Sequence, residues 1–258
     1  TYRFEEDKFL VVPNAGNADT VWDELNKRAE GFDVSLKNES RDVAMIAVQG
    51  PKAAEILVPL VEDNKQDEVY NLGYYAATMG KVARTFAIIA RTGYTGEDGF
   101  ELIVYNSDAP QLWEELLKAG EEYDIKPCGL AARDSLRLEA GMPLYGNELS
   151  RDITPVEAGM ARAFAKKEAD FVGSEVIRQR AAEGPQVAIT GLTSTQRRAA
   201  RAGAEVFVGD KKVGTVTSGQ PSPTLGHPVA IALLETSAEL EPGAEVEVEI
   251  RGKRYPFE

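Results

Sequence analysis

The chain holds one cysteine, Cys128, and one histidine, His227, among its 258 residues. A single cysteine cannot close an internal disulfide, and these two side chains cannot form a tetrahedral zinc site of soft ligands. A Ser-His-Asp or Cys-His catalytic device would have to use His227, which we expect to be an ordinary surface residue. The sequence therefore favours chemistry by carboxylates, tyrosine or the substrate's own groups, and predicts no metal site.

Positive charge is also scarce. The chain has 29 Lys and Arg against 42 Asp and Glu, a formal net charge of −13. Binding to nucleic acid or to an anionic membrane surface needs clustered positive charge. No apolar run approaches the roughly 18 to 20 residues of a membrane helix. We expect a globular protein with neither nucleic-acid nor membrane partners.

The hydrophobic pattern predicts two domains. Helical and strand patterns alternate through residues 1–183, whereas residues 184–258 hold only strands and turns. The polar link before residue 186 contains Gly184 and Pro185, so we place the boundary near 184.

Finer features of the pattern give further expectations. We predict a strand over 4–12, a hairpin of strands 74–79 and 81–90 turning at Gly80, and a helix over 171–182 capped by Ser174. The chain starts at Thr1, and 255–258 reads as the start of an unfinished element. Both ends therefore look cut from a longer protein.

A glycine-rich loop is the most informative segment. Gly93, Gly96 and Gly99 fall at a G-x-x-G-x-x-G spacing. A dinucleotide fingerprint needs G-x-G-x-x-G between a strand and a helix, whereas here a strand follows. No Lys-Ser/Thr pair follows either, and Glu97 and Asp98 would repel a phosphate, which excludes a P-loop.

The loop presents Tyr94 and leads into a strand over 100–105 that carries Glu101. Alternation puts Phe100, Leu102 and Val104 on one face and Glu101 on the other. Burying a carboxylate without a partner is costly. Glu101 is therefore either a solvent-facing or ion-paired structural residue or a ligand-binding group.

A predicted helix over 130–140 carries Arg133 and Arg137 on one face, four residues apart. Asp134 can pair with Arg137, which leaves Arg133 to seek a carboxylate such as Glu101 or an anionic ligand. An exposed helix with ordinary surface charges is the alternative.

Two further segments have simpler interpretations. Residues 213–226, rich in glycine, proline and hydroxyl groups, predict a structural turn between strands. A cluster of Arg197, Arg198 and Arg201 predicts a solvated loop or, alternatively, a surface for an acidic partner.

Several segments together resemble the aminomethyltransferase (T-protein) family of the glycine cleavage system. They occur in the family's order at residues 11–17, 47–51, 93–101, 129–140, 143–148, 153–159, 170–173 and 214–225. The resemblance covers essentially the whole chain. It implies an α+β fold, with interleaved mixed α/β folate-binding subdomains followed by a C-terminal β-barrel-like domain.

The resemblance also implies a reaction. The family takes an aminomethyl group from the lipoyl arm of the glycine cleavage H-protein, releases ammonia and forms 5,10-methylenetetrahydrofolate. Glu101 and Arg133 match the family's folate-binding residues, and Tyr94 matches a tyrosine lining the same cavity. An aromatic wall can stack on a pteridine, a carboxylate can accept from ring donors, and an arginine can hold an anionic tail.

The sequence departs from the family at its ends. The family's essential acidic residue precedes the part that matches Thr1, and a tail that closes over the folate follows the part that matches Glu258. We therefore assign no catalytic residue and expect this chain alone to be weakly active or inactive, which ammonia release compared with the longer parent would test.

The same superfamily offers an alternative function. This would be a tetrahydrofolate-binding module, either non-catalytic or linked to a sarcosine or dimethylglycine dehydrogenase. The location implied is cytoplasmic for a bacterial source and mitochondrial for a eukaryotic one.

Overall fold

A computed structural model describes residues 1–164 and 167–258. The chain divides into two compact units, Thr1–Gly129 and Leu130–Glu258. The domain boundary near residue 184 stays a prediction. Among the described residues, no helix is both long and apolar enough to cross a membrane.

The first unit begins with a short hairpin of β1 (Tyr2–Arg3) and β2 (Phe9–Leu10). The strand predicted over 4–12 is therefore wrong. The amide of Phe4 donates to the carbonyl of Lys8 at 3.0 Å, so the acidic run between them turns the chain back. Helix α1 (Ala18–Ala29) follows.

The centre of the first unit is a four-stranded antiparallel sheet. Its strands are β3 (Val43–Gln49), β4 (Ala77–Val82), β5 (Thr85–Ala90) and β6 (Gly99–Tyr105), in the order β3-β6-β5-β4. The helices of this unit after α1 are α2 (Ala53–Leu57), α3 (Gln66–Tyr70) and α4 (Ala109–Ala119).

One face of this sheet forms the core of the unit. Phe100, Leu102 and Val104 of β6 are buried there, as the alternation predicts. Leu57 of α2 and Leu112 of α4 belong to the same cluster and are fully buried. Because side chains alternate along a strand, Glu101 is left on the opposite face.

The β4–β5 hairpin turns at a different place from the one predicted. Gly80 lies inside β4, and the turn consists of Ala83 and Arg84, with φ of +47° and +69°. Val82 pairs with Thr85, which leaves a two-residue loop. Positive φ at both central residues is typical of the type I′ turn, whose twist matches that of the strands. Register, rather than the position of a glycine, fixes the turn.

In the part of the second unit that the structure describes, two α-helices accompany a six-stranded antiparallel sheet. The helices are α5 (Leu130–Glu139) and α6 (Ser174–Glu183). The strands are β7 (Val187–Thr193), β8 (Glu205–Val208), β9 (Lys211–Pro221), β10 (Pro228–Glu235), β11 (Val246–Ile250) and β12 (Lys253–Phe257), in the order β12-β11-β8-β9-β10-β7. Ser174 is the first residue of α6, and Gly173 at φ +87° takes the cap position predicted for Ser174.

The edges of this sheet approach each other. Thr193, at the end of β7, and Glu258, just after β12, exchange two backbone hydrogen bonds of 2.8 and 2.9 Å. The sheet therefore curls into a barrel-like form without a full closing ladder. Residues 255–257, expected to begin an unfinished element, instead pair with β11. The mixed α+β architecture with a barrel-like C-terminal part is confirmed.

Candidate functional site

Glu101 lies in a row of otherwise small residues that crosses the first sheet. It pairs with Ala47 of β3 on one side and Ala90 of β5 on the other, and Ala90 pairs with Ala77 of β4. Residues directly opposite one another in a sheet project to the same face. A half-buried carboxylate thus lies beside methyl groups on an interior strand of the sheet.

The Glu101 carboxylate is held from the glycine loop. The hydroxyl of Thr92 donates to Oε2 of Glu101, and the phenol oxygen of Tyr2 lies 3.4 Å from the same hydroxyl. The hydrogen bond from Thr92 therefore uses Oε2 of Glu101 and not Oε1. The motif-based interpretation singled out Glu101 but missed Thr92 and Tyr2.

The side chain of Gln49 packs against two of the loop's glycines, Gly93 and Gly99. Its Nε2 donates to the carbonyls of Thr92 at 3.1 Å and of Phe100 at 3.2 Å. A Cβ at Gly93 would lie 1.9 Å from Oε1 of Gln49, and one at Gly99 would lie 2.5 Å from its Cδ. Glycine at both positions leaves the space that the glutamine side chain fills, and a larger residue at either would displace it.

Asp98 is a structural clamp. Its carboxylate accepts two hydrogen bonds from Arg91, of 2.9 and 2.7 Å, and Nη1 of Arg91 donates to the carbonyls of Tyr70 and Leu72. The hydrogen bond from Arg91 lowers the pKa of Asp98, and the same bond raises the pKa of Arg91. The two ends of the loop are thus tied together by a bidentate pair.

Three further tyrosines belong to this region. Tyr94 is half-buried within the loop, and the rings of Tyr74 and Tyr75 are 4.2 Å apart. The hydrogen bond with Tyr75, burial and the negative charges of Asp98 and Glu101 raise the pKa of Tyr74. The motifs indicate Tyr94 but not this adjacent pair, whose signal in the sequence is two consecutive aromatic residues before a strand.

In the second unit, Arg137 of α5 is the centre of a buried polar cluster. Its exposed fraction is 1%, and that of Glu148 is 0%. Nη1 of Arg137 lies 3.1 Å from Oε2 of Glu148, and Nη2 donates to Ser218 at 2.8 Å. Asp134 also accepts from Arg137, as predicted, with a closest distance of 2.7 Å.

The segment 213–226 anchors the same helix. Ser218 donates to Glu148 at 2.6 Å, and Ser222 donates to Glu139 of α5 at 2.5 Å. Both serines are buried. These contacts support the structural interpretation of the segment. His227, predicted to be a surface residue, is instead half-buried, with Nδ1 2.9 Å from the hydroxyl of Thr193.

Arg133 lies one turn before Arg137 on α5 and is exposed. Glu101 and Tyr94 belong to the first unit and Arg133 to the second. A pairing of Arg133 with Glu101 therefore stays a prediction. In the basic cluster, the guanidinium of Arg198 lies 5.7 Å from the ring centre of Tyr255, and Arg201 donates to the carbonyl of Gly219 at 3.3 Å.

Family models match both parts of the chain. Residues 1–168 match the GCVT N-terminal domain, and residues 188–258 match the glycine cleavage T-protein C-terminal barrel domain.

Individual relatives agree with the family models. An aminomethyltransferase of Corynebacterium aurimucosum is 84% identical over all of this chain, which spans 70% of that relative. One of Streptomyces avermitilis is 49% identical, again over all of this chain and 69% of the relative.

A solved structure agrees as well. The crystal structure of glycine cleavage system aminomethyltransferase T from Bartonella henselae superposes with a TM-score of 0.81 at 36% identity. The match covers 95% of this chain and 65% of that one, so this chain is shorter than the proteins it matches. The chain belongs to the aminomethyltransferase family, the T-proteins of the glycine cleavage system.

Proposed function

We propose that this chain carries a tetrahydrofolate site used in aminomethyl transfer, with ammonia and 5,10-methylenetetrahydrofolate as products. The observation that carries the proposal is the position of Glu101 on the first sheet. A lone carboxylate lies among Ala47, Ala90 and Ala77, and Thr92 holds one of its oxygens. Such a surface suits a flat ring that bears hydrogen-bond donors at its edge.

The roles proposed for the residues follow from their chemistry. Glu101 accepts hydrogen bonds from the amino and N–H groups of the pteridine, which fixes the orientation of the ring. Tyr94 supplies an aromatic surface beside the ring. Arg133, on α5 of the second unit, binds the anionic tail of the folate. Tetrahydrofolate, when bound, supplies the ring nitrogens that accept the one-carbon unit.

The contribution of these residues to the rate is positioning. Holding an acceptor nitrogen against a reactive carbon replaces a bimolecular encounter with an intramolecular one. The hydrogen bonds of the Gln49 side chain and the Arg91–Asp98 pair restrain the loop around Tyr94, which favours a fixed geometry of the site. No residue of this chain is assigned as an acid or a base.

The proposed donor is the lipoylated H-protein of the glycine cleavage system. The basic cluster of Arg197, Arg198 and Arg201 is the candidate surface for an acidic partner on this otherwise acidic chain. The matched relatives are bacterial, which supports a cytoplasmic location. They are also named as aminomethyltransferases, so the dehydrogenase-linked or non-catalytic alternative is not favoured.

Calorimetry with tetrahydrofolate tests the proposal. We expect this chain to bind and Glu101→Ala to lose more than about 1 kcal/mol of binding free energy, as for a lost hydrogen bond to a charged group. Glu97→Ala is the matched control, because Glu97 is an exposed carboxylate in the same loop. Equal affinities of the parent and Glu101→Ala would refute the role of Glu101. No binding by any of the three would refute a competent folate site in this chain.

A further inference from the structure

We propose that two hydroxyl groups, those of Thr92 and Tyr2, form a relay that positions Glu101 for tetrahydrofolate. This inference rests on the proposed function. Thr92 and Tyr2 are positioning residues, since neither is proposed to touch the reacting atoms. The relay runs from the phenol of Tyr2 to the hydroxyl of Thr92 and then to Oε2 of Glu101.

The direction of the relay follows from hydrogen-bond valence. A carboxylate can only accept, so the single proton of Thr92 points to Glu101. The oxygen of Thr92 still has lone pairs, and it can accept the proton of Tyr2, whose oxygen lies 3.4 Å away. Each hydroxyl thereby donates one hydrogen bond toward the carboxylate.

The relay begins on a fixed backbone. Gln49 donates to the carbonyl of Thr92 at 3.1 Å, so the peptide that carries the hydroxyl is tied to the end of β3. Thr92 directly follows Arg91, whose amide donates to the carbonyl of Ala76 at 3.0 Å. The backbone is therefore held at the carbonyl of Thr92 by Gln49 and at the preceding residue by Ala76.

The environment of Glu101 makes such positioning necessary. Its neighbours in the row are Ala47 and Ala90, whose methyl groups offer no hydrogen bonds and little steric constraint on a long side chain. A glutamate has three rotatable side-chain bonds, and ordering it on binding costs conformational entropy. Preorganisation by Thr92 removes much of that cost before the ligand arrives.

The relay also selects the oxygen available to the ligand. Thr92 engages Oε2, so Oε1 is the less encumbered oxygen for a donor of the pteridine edge. Loss of Thr92 would leave the carboxylate free to rotate, and the ligand would then have to order it.

The test compares Thr92→Val, Thr92→Ser and Tyr2→Phe in this chain. Valine keeps the branched shape and removes the hydroxyl, serine keeps the hydroxyl, and phenylalanine keeps the ring. We expect Thr92→Val to weaken tetrahydrofolate binding about tenfold, Thr92→Ser to retain the parent's affinity within about twofold, and Tyr2→Phe to lose about two- to threefold. Urea unfolding of each variant controls for general destabilisation.

The structures of the unliganded parent and of Thr92→Val provide a second measurement that needs no ligand. We expect the Glu101 carboxylate to leave its parent position in Thr92→Val and to keep it in Thr92→Ser. The relay would be overturned if the Glu101 carboxylate kept its parent position in Thr92→Val. It would also be overturned if Thr92→Ser bound tetrahydrofolate as weakly as Thr92→Val.

The two proposals fail differently. Loss of binding in Glu101→Ala with parent-like binding in Thr92→Val would refute the relay and leave the folate site intact. If the parent itself binds no tetrahydrofolate, the proposed function fails, and the structures of the Thr92 variants still decide whether Thr92 positions Glu101.

Discussion

Replacing Glu148 by glutamine should strongly destabilise the second unit. Glu148 is fully buried, and its two oxygens accept from Arg137, Ser218 and the amide of Leu144, at 3.1, 2.6 and 2.8 Å. Glutamine has almost the same shape, so the change removes charge and one acceptor without leaving a cavity. The effect therefore isolates electrostatics and hydrogen bonding.

The magnitude follows from the contacts. Placed at Oε2, the amide nitrogen of glutamine would face two donors, Arg137 and Leu144. Placed at Oε1, it would face the hydroxyl of Ser218, which already accepts from Arg137 and from Asn147. Breaking a buried ion pair by removing one partner costs about 3–5 kcal/mol. We expect the loss of unfolding free energy to fall in that range.

Asp134→Asn provides the matched comparison. Asp134 contacts the same guanidinium, but its side chain is 47% exposed. Pairs that involve an exposed partner contribute about 0.2–1 kcal/mol. Glu245→Gln, at an exposed glutamate of the same unit, is the control for a charge change alone and should shift stability by less than about 0.5 kcal/mol.

Urea denaturation measures these differences. Both tryptophans, Trp22 and Trp113, lie in the first unit, so circular dichroism is needed to follow the second. With a slope of about 2 kcal/mol per molar urea, Glu148→Gln should lower the midpoint by about 1.5–2.5 M. Equal losses for Glu148→Gln and Asp134→Asn would refute the reasoning, because burial would then not decide the cost.

Three further changes test the first unit. Asp98→Asn should remove about 1 kcal/mol at neutral pH. Because the pKa of Asp98 is lowered from its ordinary 3.8, its contribution is present above that value and lost in more acidic solution, so the stability difference between parent and variant should vanish in acid titrations. Gly99→Ala should destabilise the protein by about 1–3 kcal/mol because the added methyl group displaces the Gln49 side chain. In a Gln49→Ala background the same change should cost less than about 0.5 kcal/mol, since the clash is gone. Additive losses in this double-mutant cycle would contradict the explanation. Arg84→Gly should raise the thermal midpoint and stabilise by up to about 1 kcal/mol, since glycine adopts φ of +69° without the steric cost of a side chain, and unchanged or lower stability would argue against it.

Part of the site could be predicted from local pattern. Strand alternation was sufficient to place Glu101 on the face of the sheet away from Phe100 and Leu102. Helical spacing was sufficient to pair Asp134 with Arg137. Both depend on residues within a few positions, where the geometry of one strand or helix fixes the direction of side chains.

The partners of those residues could not be predicted in the same way. Gln49 contacts Gly93 and Gly99 from a strand more than forty positions away in the sequence. Ser218 donates a hydrogen bond to Glu148, from which it is separated by 70 positions. Sequence showed that the glycines permit an unusual loop, but only the tertiary structure shows that a glutamine side chain occupies the space they leave.

The amino-acid sequence by itself indicated the family through its motifs, the mixed α+β class through that resemblance, and the candidates Glu101, Tyr94 and Arg133. Only the tertiary structure decided that Asp98 clamps the loop, that Thr92 holds Glu101 and that the hairpin turns at Ala83 and Arg84. The physical reason is that strand register and hydrogen-bond satisfaction are set by pairing between distant segments, and a local pattern carries no record of which segments pair.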